Sequence, residues 1–256
     1  MPEVRSRQLR KGRNRVTTLL GGDQVTAKRF GPMYWAPRSL AWWIGTLFMI
    51  GSACFAIGPV IAIVGSIRVA TVTFFIGSLF FTAAAYSQFL EVINADSVNA
   101  VDASAPRVRL FAIDRKSIGW QACSIQLAGT LFFNVTTFTG LIQGLDAQSA
   151  DRLVWAPDVF GSICFLVASW LALTEVRRNW QGQPDRGIEW SITALNMVGS
   201  IAFGVSAVGA YVIHDTDQLL NAAAANAGTF VGAICFFVGA YLLWPESARA
   251  STDKKI

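Results

Sequence analysis

Histidine is nearly missing from this chain: His214 is the only one in 256 residues. The four cysteines, Cys54, Cys123, Cys164 and Cys235, all fall inside apolar runs, and no CxxC pair occurs. A zinc site, a haem held by two histidines or a disulfide framework therefore has no ligand set to draw on. No cofactor or metal is expected, and the cysteines read as small apolar residues. Charge is scarce as well, at 14% of residues, where a soluble domain carries about a quarter. The first 37 residues are basic and lack the short apolar core and small-residue cleavage site of a signal peptide. The first apolar run should therefore insert and stay.

What fills the chain instead is apolar sequence, 53% of residues, with 9 Trp and 18 Phe. Runs of about 20 residues match the hydrocarbon core of a bilayer at 1.5 Å per residue. They predict six transmembrane helices near 40–63, 70–92, 118–142, 153–176, 188–213 and 224–245. Pro157 obscures the start of the fourth. The segments expected to share one side carry 19 Lys and Arg and the opposite loops carry two, Arg68 and Arg152. The positive-inside rule then puts both termini in the cytoplasm of a multi-pass protein of the cell inner (plasma) membrane.

The helices contain a tandem repetition. Arg38, Lys116 and Arg186 each stand four residues before Trp42, Trp120 and Trp190. Nine residues after each Trp comes Gly51, Gly129 or Gly199, followed by Ser52, Thr130 or Ser200 and then by Phe55, Phe133 or Phe203. The even helices share a second register. Gly77, Gly161 and Gly232 precede Phe81, Phe165 and Phe236 by four residues, and Glu91, Glu175 and Glu246 follow each glycine by fourteen. The expected fold is all-α, three tandem helix hairpins at 38–92, 118–176 and 186–246 in one orientation, as a possible pseudo-threefold bundle. Parallel units of this kind do not follow the inverted-repeat logic of many transporters. The glycines should mark close helix approach, since lipid supplies no hydrophobic drive for association. Phenylalanines at the repeated positions should plug the axis as ordinary core.

Each hairpin opens with a cation and closes with a glutamate, at the unfavourable end of the helix dipole in both cases. Pairing of Arg38, Lys116 and Arg186 with Glu91, Glu175 and Glu246 would cancel both penalties; independent snorkelling anchors are the plainer reading, and a cation-attracting acidic ring is a third. Trp42, Trp120 and Trp190 suit the membrane interface. Gln126, Asn134 and Asn196 are the polar core positions, read first as interhelical glue. Asp158, near the outer end of its helix, is the acid closest to mid-membrane. His214 with Asp215 and Asp217 reads as a solvated outer loop. The loop 93–117 includes RVRLFAIDRK, a short strand or an interfacial segment. The tail 1–37 is expected to be disordered and to lie on anionic inner-leaflet lipid, with no nucleic-acid partner. Residues 247–256 form a cytoplasmic C-terminal tail.

The stretches QLAGTLFFNVTTF (126–138), FGSICFLVASWLALTEV (160–176) and LNMVGSIAFGVSAVGAYV (195–212) resemble the YrhK-like domain family of uncharacterised bacterial membrane proteins. The resemblance spans the three hairpins. It implies a bacterial, actinobacterial, cell-membrane location and a two-helix hairpin as the building unit, with no activity or catalytic residue to carry over.

With one histidine and no set of converging titratable groups, an enzyme is not expected. The leading expectation is a non-enzymatic structural, stress-related or partner-binding bundle. The alternative is a channel or facilitator for a small neutral or weakly polar solute. The discriminator is whether the polar core residues face one cavity or separate helix contacts.

Overall fold

Backbone polar groups in an apolar environment must be satisfied within the chain, which favours long uninterrupted helices. Six form: α1 Leu40–Val64, α2 Ile67–Ile93, α3 Ile118–Thr139, α4 Ala156–Arg178, α5 Gly187–Gly209 and α6 Ala222–Thr252. The computed structural model describes residues 16, 28–30, 33–95, 108–142, 144–178 and 187–252. Five of these helices, α3 being the exception, are long and apolar enough to cross a membrane. The expected six spans are thus met in number by helices but not by composition. In α3 the apolar run is diluted by Gln121, Gln126, Asn134 and a cluster of threonines.

The helices pack in chain order, α1 on α2 through α5 on α6, and α6 returns against α1, closing a ring. Within each hairpin the two helices meet glycine to glycine. A Cβ added to Gly51 would lie 3.0 Å from the Gly77 carbonyl oxygen, one on Gly161 would lie 3.2 Å from that of Gly129, and one on Gly199 would lie 3.1 Å from that of Gly232. Three cysteines sit at the same crossings. The Cβ of Cys54 faces Gly77, that of Cys164 faces Gly129 and that of Cys235 faces Gly199, at 2.7, 2.9 and 3.2 Å from an added Cβ. Only small side chains fit there, and the thiols are free.

Six phenylalanines fill the centre of the ring. Phe55, Phe133 and Phe203 form one triangle, with ring centroids 5.9 to 6.3 Å apart. Phe81, Phe165 and Phe236 form a second, at 5.6 to 6.3 Å. Each hairpin joins the two layers: Phe55 to Phe81 at 5.3 Å, Phe133 to Phe165 at 5.1 Å and Phe203 to Phe236 at 5.2 Å. These separations are those of favourable tilted and edge-to-face aromatic pairs. The axis is closed by this double layer. Large apolar side chains such as Ile63, Val64, Ile67 and Val208 point outward instead, as a lipid-facing surface requires.

Before α1 and α3 the chain takes the same path. The Trp42 indole N–H donates to the Tyr34 carbonyl and that of Trp120 to the Ala112 carbonyl, both eight residues upstream, at 2.7 and 2.8 Å. One residue on, Trp43 donates to Pro37 O and Gln121 to Arg115 O, both six residues upstream. Ser39 N–H and Ser117 N–H each bond the carbonyl three residues before, at Ala36 and Asp114. The tail expectation needs correcting at its end. β1 Lys28–Phe30 pairs antiparallel with β2 Met33–Trp35 and delivers Tyr34 to the Trp42 indole. The rest of 1–37, apart from Val16 and residues 36–37, lies outside the described residues, as do 96–107, 179–186 and 253–256.

Two other boundaries differ for local reasons. α5 ends at Gly209 rather than 213, because Val212–Ile213 (β3) turns back to pair with Gln218–Leu219 (β4). Asp217 adopts φ 53°, which a short polar side chain tolerates. Ahead of α4, a single turn at Ala147–Ala150 runs into a π-helical turn, Asp151–Trp155. Pro157 lacks an N–H, so carbonyls one turn earlier lose their donor. The widened turn presents those of Leu153 and Val154 to Thr139 and Thr136 of α3, whose hydroxyls donate to them.

Candidate functional site

On odd helices the residue three before the crossing glycine is Phe48, Gln126 or Asn196. At 3.6 residues per turn it lies just under one turn from the glycine on the axial face, towards the tryptophan-bearing end of the bundle. There, Gln126 and Asn196 line a cleft with Gln88, Ser169, Glu91 and Glu175, roofed on the phenylalanine side by Phe165 and Phe236. The cleft encloses about 560 Å³, its open mouth included. A side compartment of about 320 Å³, open space included, shares Gln88, Gln126 and Asn196 and is walled by Phe48 and Gly239. Gly239 faces Asn196: a Cβ there would sit 2.9 Å from the Asn196 amide oxygen, which would have to turn aside.

Two of the three polar core residues therefore face one cavity. The third does not. Asn134 donates to the Thr82 hydroxyl at 2.9 Å, holding α3 to α2, and its own amide oxygen is buried without a hydrogen-bond partner.

Five of the six charges of the expected ring are described, and they separate into two groups. Glu91, Glu175 and Glu246 are buried, at 4, 6 and 2% exposure, and the first two share the cleft while the third stands outside it. Arg38 and Lys116 are exposed and pair with none of the three, and Arg186 lies outside the described residues. Glu189, in the first turn of α5, is a fourth buried carboxylate that the repeat pattern did not flag. All four acids have interaction partners, as burial of a charge requires.

The tryptophans differ among themselves. Trp190 is exposed and Trp120 half-buried, but Trp42 is buried against Trp244, rings stacked at 5.9 Å, and the Trp244 indole donates to the Trp42 carbonyl. Trp42 thus works inside the α1–α6 contact rather than at the lipid surface. The segment 108–116 is neither helix nor strand, bends at Leu110 and turns at 115–116, and it exposes Leu110, Phe111 and Ile113. Asn94 clamps its start through paired 2.7 Å bonds with the Arg109 backbone.

At the opposite end, His214 is exposed in its loop as expected, but it is not without partners. Its Nε2 lies 3.3 Å from a carboxylate oxygen of Asp151, in the π-helical turn, and its Nδ1 lies 3.4 Å from the Tyr211 hydroxyl. Asp151 also accepts from Val212 N, and Trp155 donates to Ala207 O, so the turn and the β3–β4 hairpin are fastened together. Asp146, at the start of the lead-in, accepts from the Ser149 N–H, which holds its carboxyl below the usual range.

Below this latch a cavity of about 210 Å³, open space included, is lined by Asp158, Ser162, Ser206 and Thr229 and closed by Phe55, Phe133 and Phe203. Asp158 was expected only as the acid nearest to mid-membrane; it faces a cavity against the phenylalanine core. The signal was available in the sequence. The residue three before the even-helix glycine is Phe74, Asp158 or Thr229. Both cavities are thus lined from the same register position, one on odd helices and one on even. Among the described residues, no three His, Cys, Asp or Glu side chains converge as a metal site. Comparison with protein-family models, with curated proteins and with solved structures finds no match to this chain.

Proposed function

We propose that the protein is a six-span, non-enzymatic bundle of the bacterial cell membrane that works by binding, as a scaffold or partner-binding element, and conducts no solute. The double phenylalanine layer carries this reading: its six rings occupy the axis on which a permeation path would lie. α3 is taken as the sixth span because it packs between α2 and α4 along the ring and contributes Phe133 to the core. Its polar residues turn towards the cleft or towards α2, which offsets their cost in lipid. Three tandem hairpins about a pseudo-threefold axis account for the matching glycine crossings, and the resemblance to the YrhK-like family agrees with the hairpin as unit. The lysine and arginine asymmetry supports cytoplasmic termini, with the tail on anionic lipid. The non-enzymatic part of this reading rests on the single histidine, His214, which stands at the end of the bundle opposite the cleft.

A facilitator reading has one observation in its favour, the convergence of Gln88, Gln126 and Asn196 on one cleft. Flux of ions and small polar solutes through purified protein in proteoliposomes separates the two. Tight vesicles with correctly inserted protein are expected. Saturable flux that is altered by Gln126→Leu would overturn the scaffold reading.

A further inference from the structure

The cavity holding Asp158 is unlike the cleft at the tryptophan end in one chemical respect. Two of its three hydroxyl protons are committed elsewhere, and the third leans towards a more distant carbonyl. Ser206 Oγ lies 2.7 Å from the Ala225 carbonyl oxygen and 2.7 Å from Thr229 Oγ1, which itself lies 3.0 Å from the same carbonyl. Two hydroxyls and one carbonyl therefore close a triangle that consumes both protons. Ser162 points its proton at the Phe203 carbonyl, at 3.5 Å. A hydroxyl has one proton and two lone pairs, so what these three side chains offer the cavity is lone pairs. Asp158 adds a carboxylate with no hydrogen bond and no ion pair. With Asp158 ionised and Ser162 turned towards Phe203, the lining offers acceptors only.

An acceptor-only cavity has no way to hold an anion or a carbonyl compound. It fits a cation. A single carboxylate balances one positive charge, and a divalent ion would leave net charge inside an apolar bundle, which is costly. Oxygen donors alone suit hard ions. We propose that Asp158, Ser162, Ser206 and Thr229 bind one small monovalent cation, an alkali-metal or ammonium ion, on the side of the phenylalanine layer away from the tryptophans. Pro157 and the preceding π-helical turn place Asp158 in the first turn of α4, and Gly228 lets α6 bring Thr229 to Ser206. A Cβ on Gly228 would lie 2.6 Å from the Ala202 carbonyl oxygen. The site needs no permeation, so it stands whether or not the bundle conducts.

The test uses the full chain in nanodiscs at constant ionic strength, with choline chloride replaced stepwise by lithium, sodium, potassium or ammonium chloride. The thermal unfolding midpoint is the readout. A saturable rise is expected with at least one of these ions, lost in Asp158→Asn and shifted to at least tenfold higher concentration in Thr229→Val. No saturable rise with any ion overturns the site, and so does an equal rise in Asp158→Asn. Should Asp158→Asn fail to fold, an unshifted Thr229→Val overturns it. Ion binding without flux leaves the scaffold reading intact, whereas flux without binding at Asp158 removes this inference alone.

Discussion

The first hairpin and the other two share a crossing and differ on either side of it. All three place glycine against glycine and the same pair of phenylalanines at the centre. Three residues before each glycine they part. The first hairpin has Phe48 and Phe74, whose rings pack on Phe81 at 5.8 Å and on Phe55 at 5.4 Å. The second has Gln126 and Asp158, and the third Asn196 and Thr229. At this position the first hairpin places aromatic bulk, and the other two place polar side chains that line the cavities. The polar lining thus departs from the first hairpin's text at this register position, with Gln88, Glu91, Ser162 and Ser206 joining it from others.

The largest effects should come from the part that does not vary. Gly51→Val, Gly129→Val and Gly199→Val each drive a branched side chain onto backbone or onto a buried ring at about 3 Å. Overpacking of this kind costs about 1–3 kcal/mol and sometimes more, and here a main-chain carbonyl or a wedged ring stands in the way. All three variants should lose most of their folded, monodisperse yield, by a similar amount, in detergent size-exclusion. One tolerated valine among them would break the equivalence of the hairpins.

A smaller effect is expected where the hairpins differ. Phe74 fills the space beside Gly58, where an added Cβ would lie 2.3 Å from its ring. Phe74→Thr gives the first hairpin the residue of the third and opens a void against Phe55. Loss of a buried phenyl ring costs about 3 kcal/mol in well-packed cores; Phe74 is partly buried, so the loss should be smaller and the thermal midpoint should fall by a few degrees. Gln126→Phe, the reverse exchange on the other side, fills the cleft and should leave the midpoint within about two degrees, because volume enters a pre-existing space. A strong loss in Gln126→Phe would show that the cleft is held open by its own contacts.

The helices and their crossings were legible because glycine, phenylalanine and tryptophan recur at fixed spacing, and each does there what its size dictates. The expected ion ring is described only in part, because Arg186 lies outside the described residues. Its pattern came from charge spacing along each helix, whereas the structure buries Glu91 and Glu175 beside a cleft and leaves Arg38 and Lys116 exposed. Spacing cannot tell a carboxylate that turns inward from one that reaches for solvent. The cavity role of Asp158, and Gln88 altogether, went unread for a related reason. A search for what repeats passes over positions that vary, and Phe74, Asp158 and Thr229 have nothing in common but their place. The pairing of His214 with Asp151 spans 63 positions and depends on a π-helical turn, which leaves no periodic trace.

The smallest effect tests how far the likeness of the first two hairpins extends beyond the helices. Trp42 and Trp120 each donate to a carbonyl eight residues upstream, but Trp42 also stacks on Trp244 and Trp120 has no such aromatic partner among the described residues. Phenylalanine keeps most of the ring and deletes the N–H. A hydrogen bond to a backbone carbonyl contributes about 1 kcal/mol, and the arm at 34–37 or 112–115 is what that bond holds down. Trp42→Phe and Trp120→Phe should each lower the thermal midpoint slightly, by about the same amount, and raise amide exchange of the upstream arm well above that of the helix cores. Unequal exchange with equal midpoints would assign the arm before α1 to its β1–β2 pairing instead. Faster exchange before α3 alone would then show that the indole bond is needed there even beside the Asn94 and Gln121 bonds to the Arg109 and Arg115 backbone.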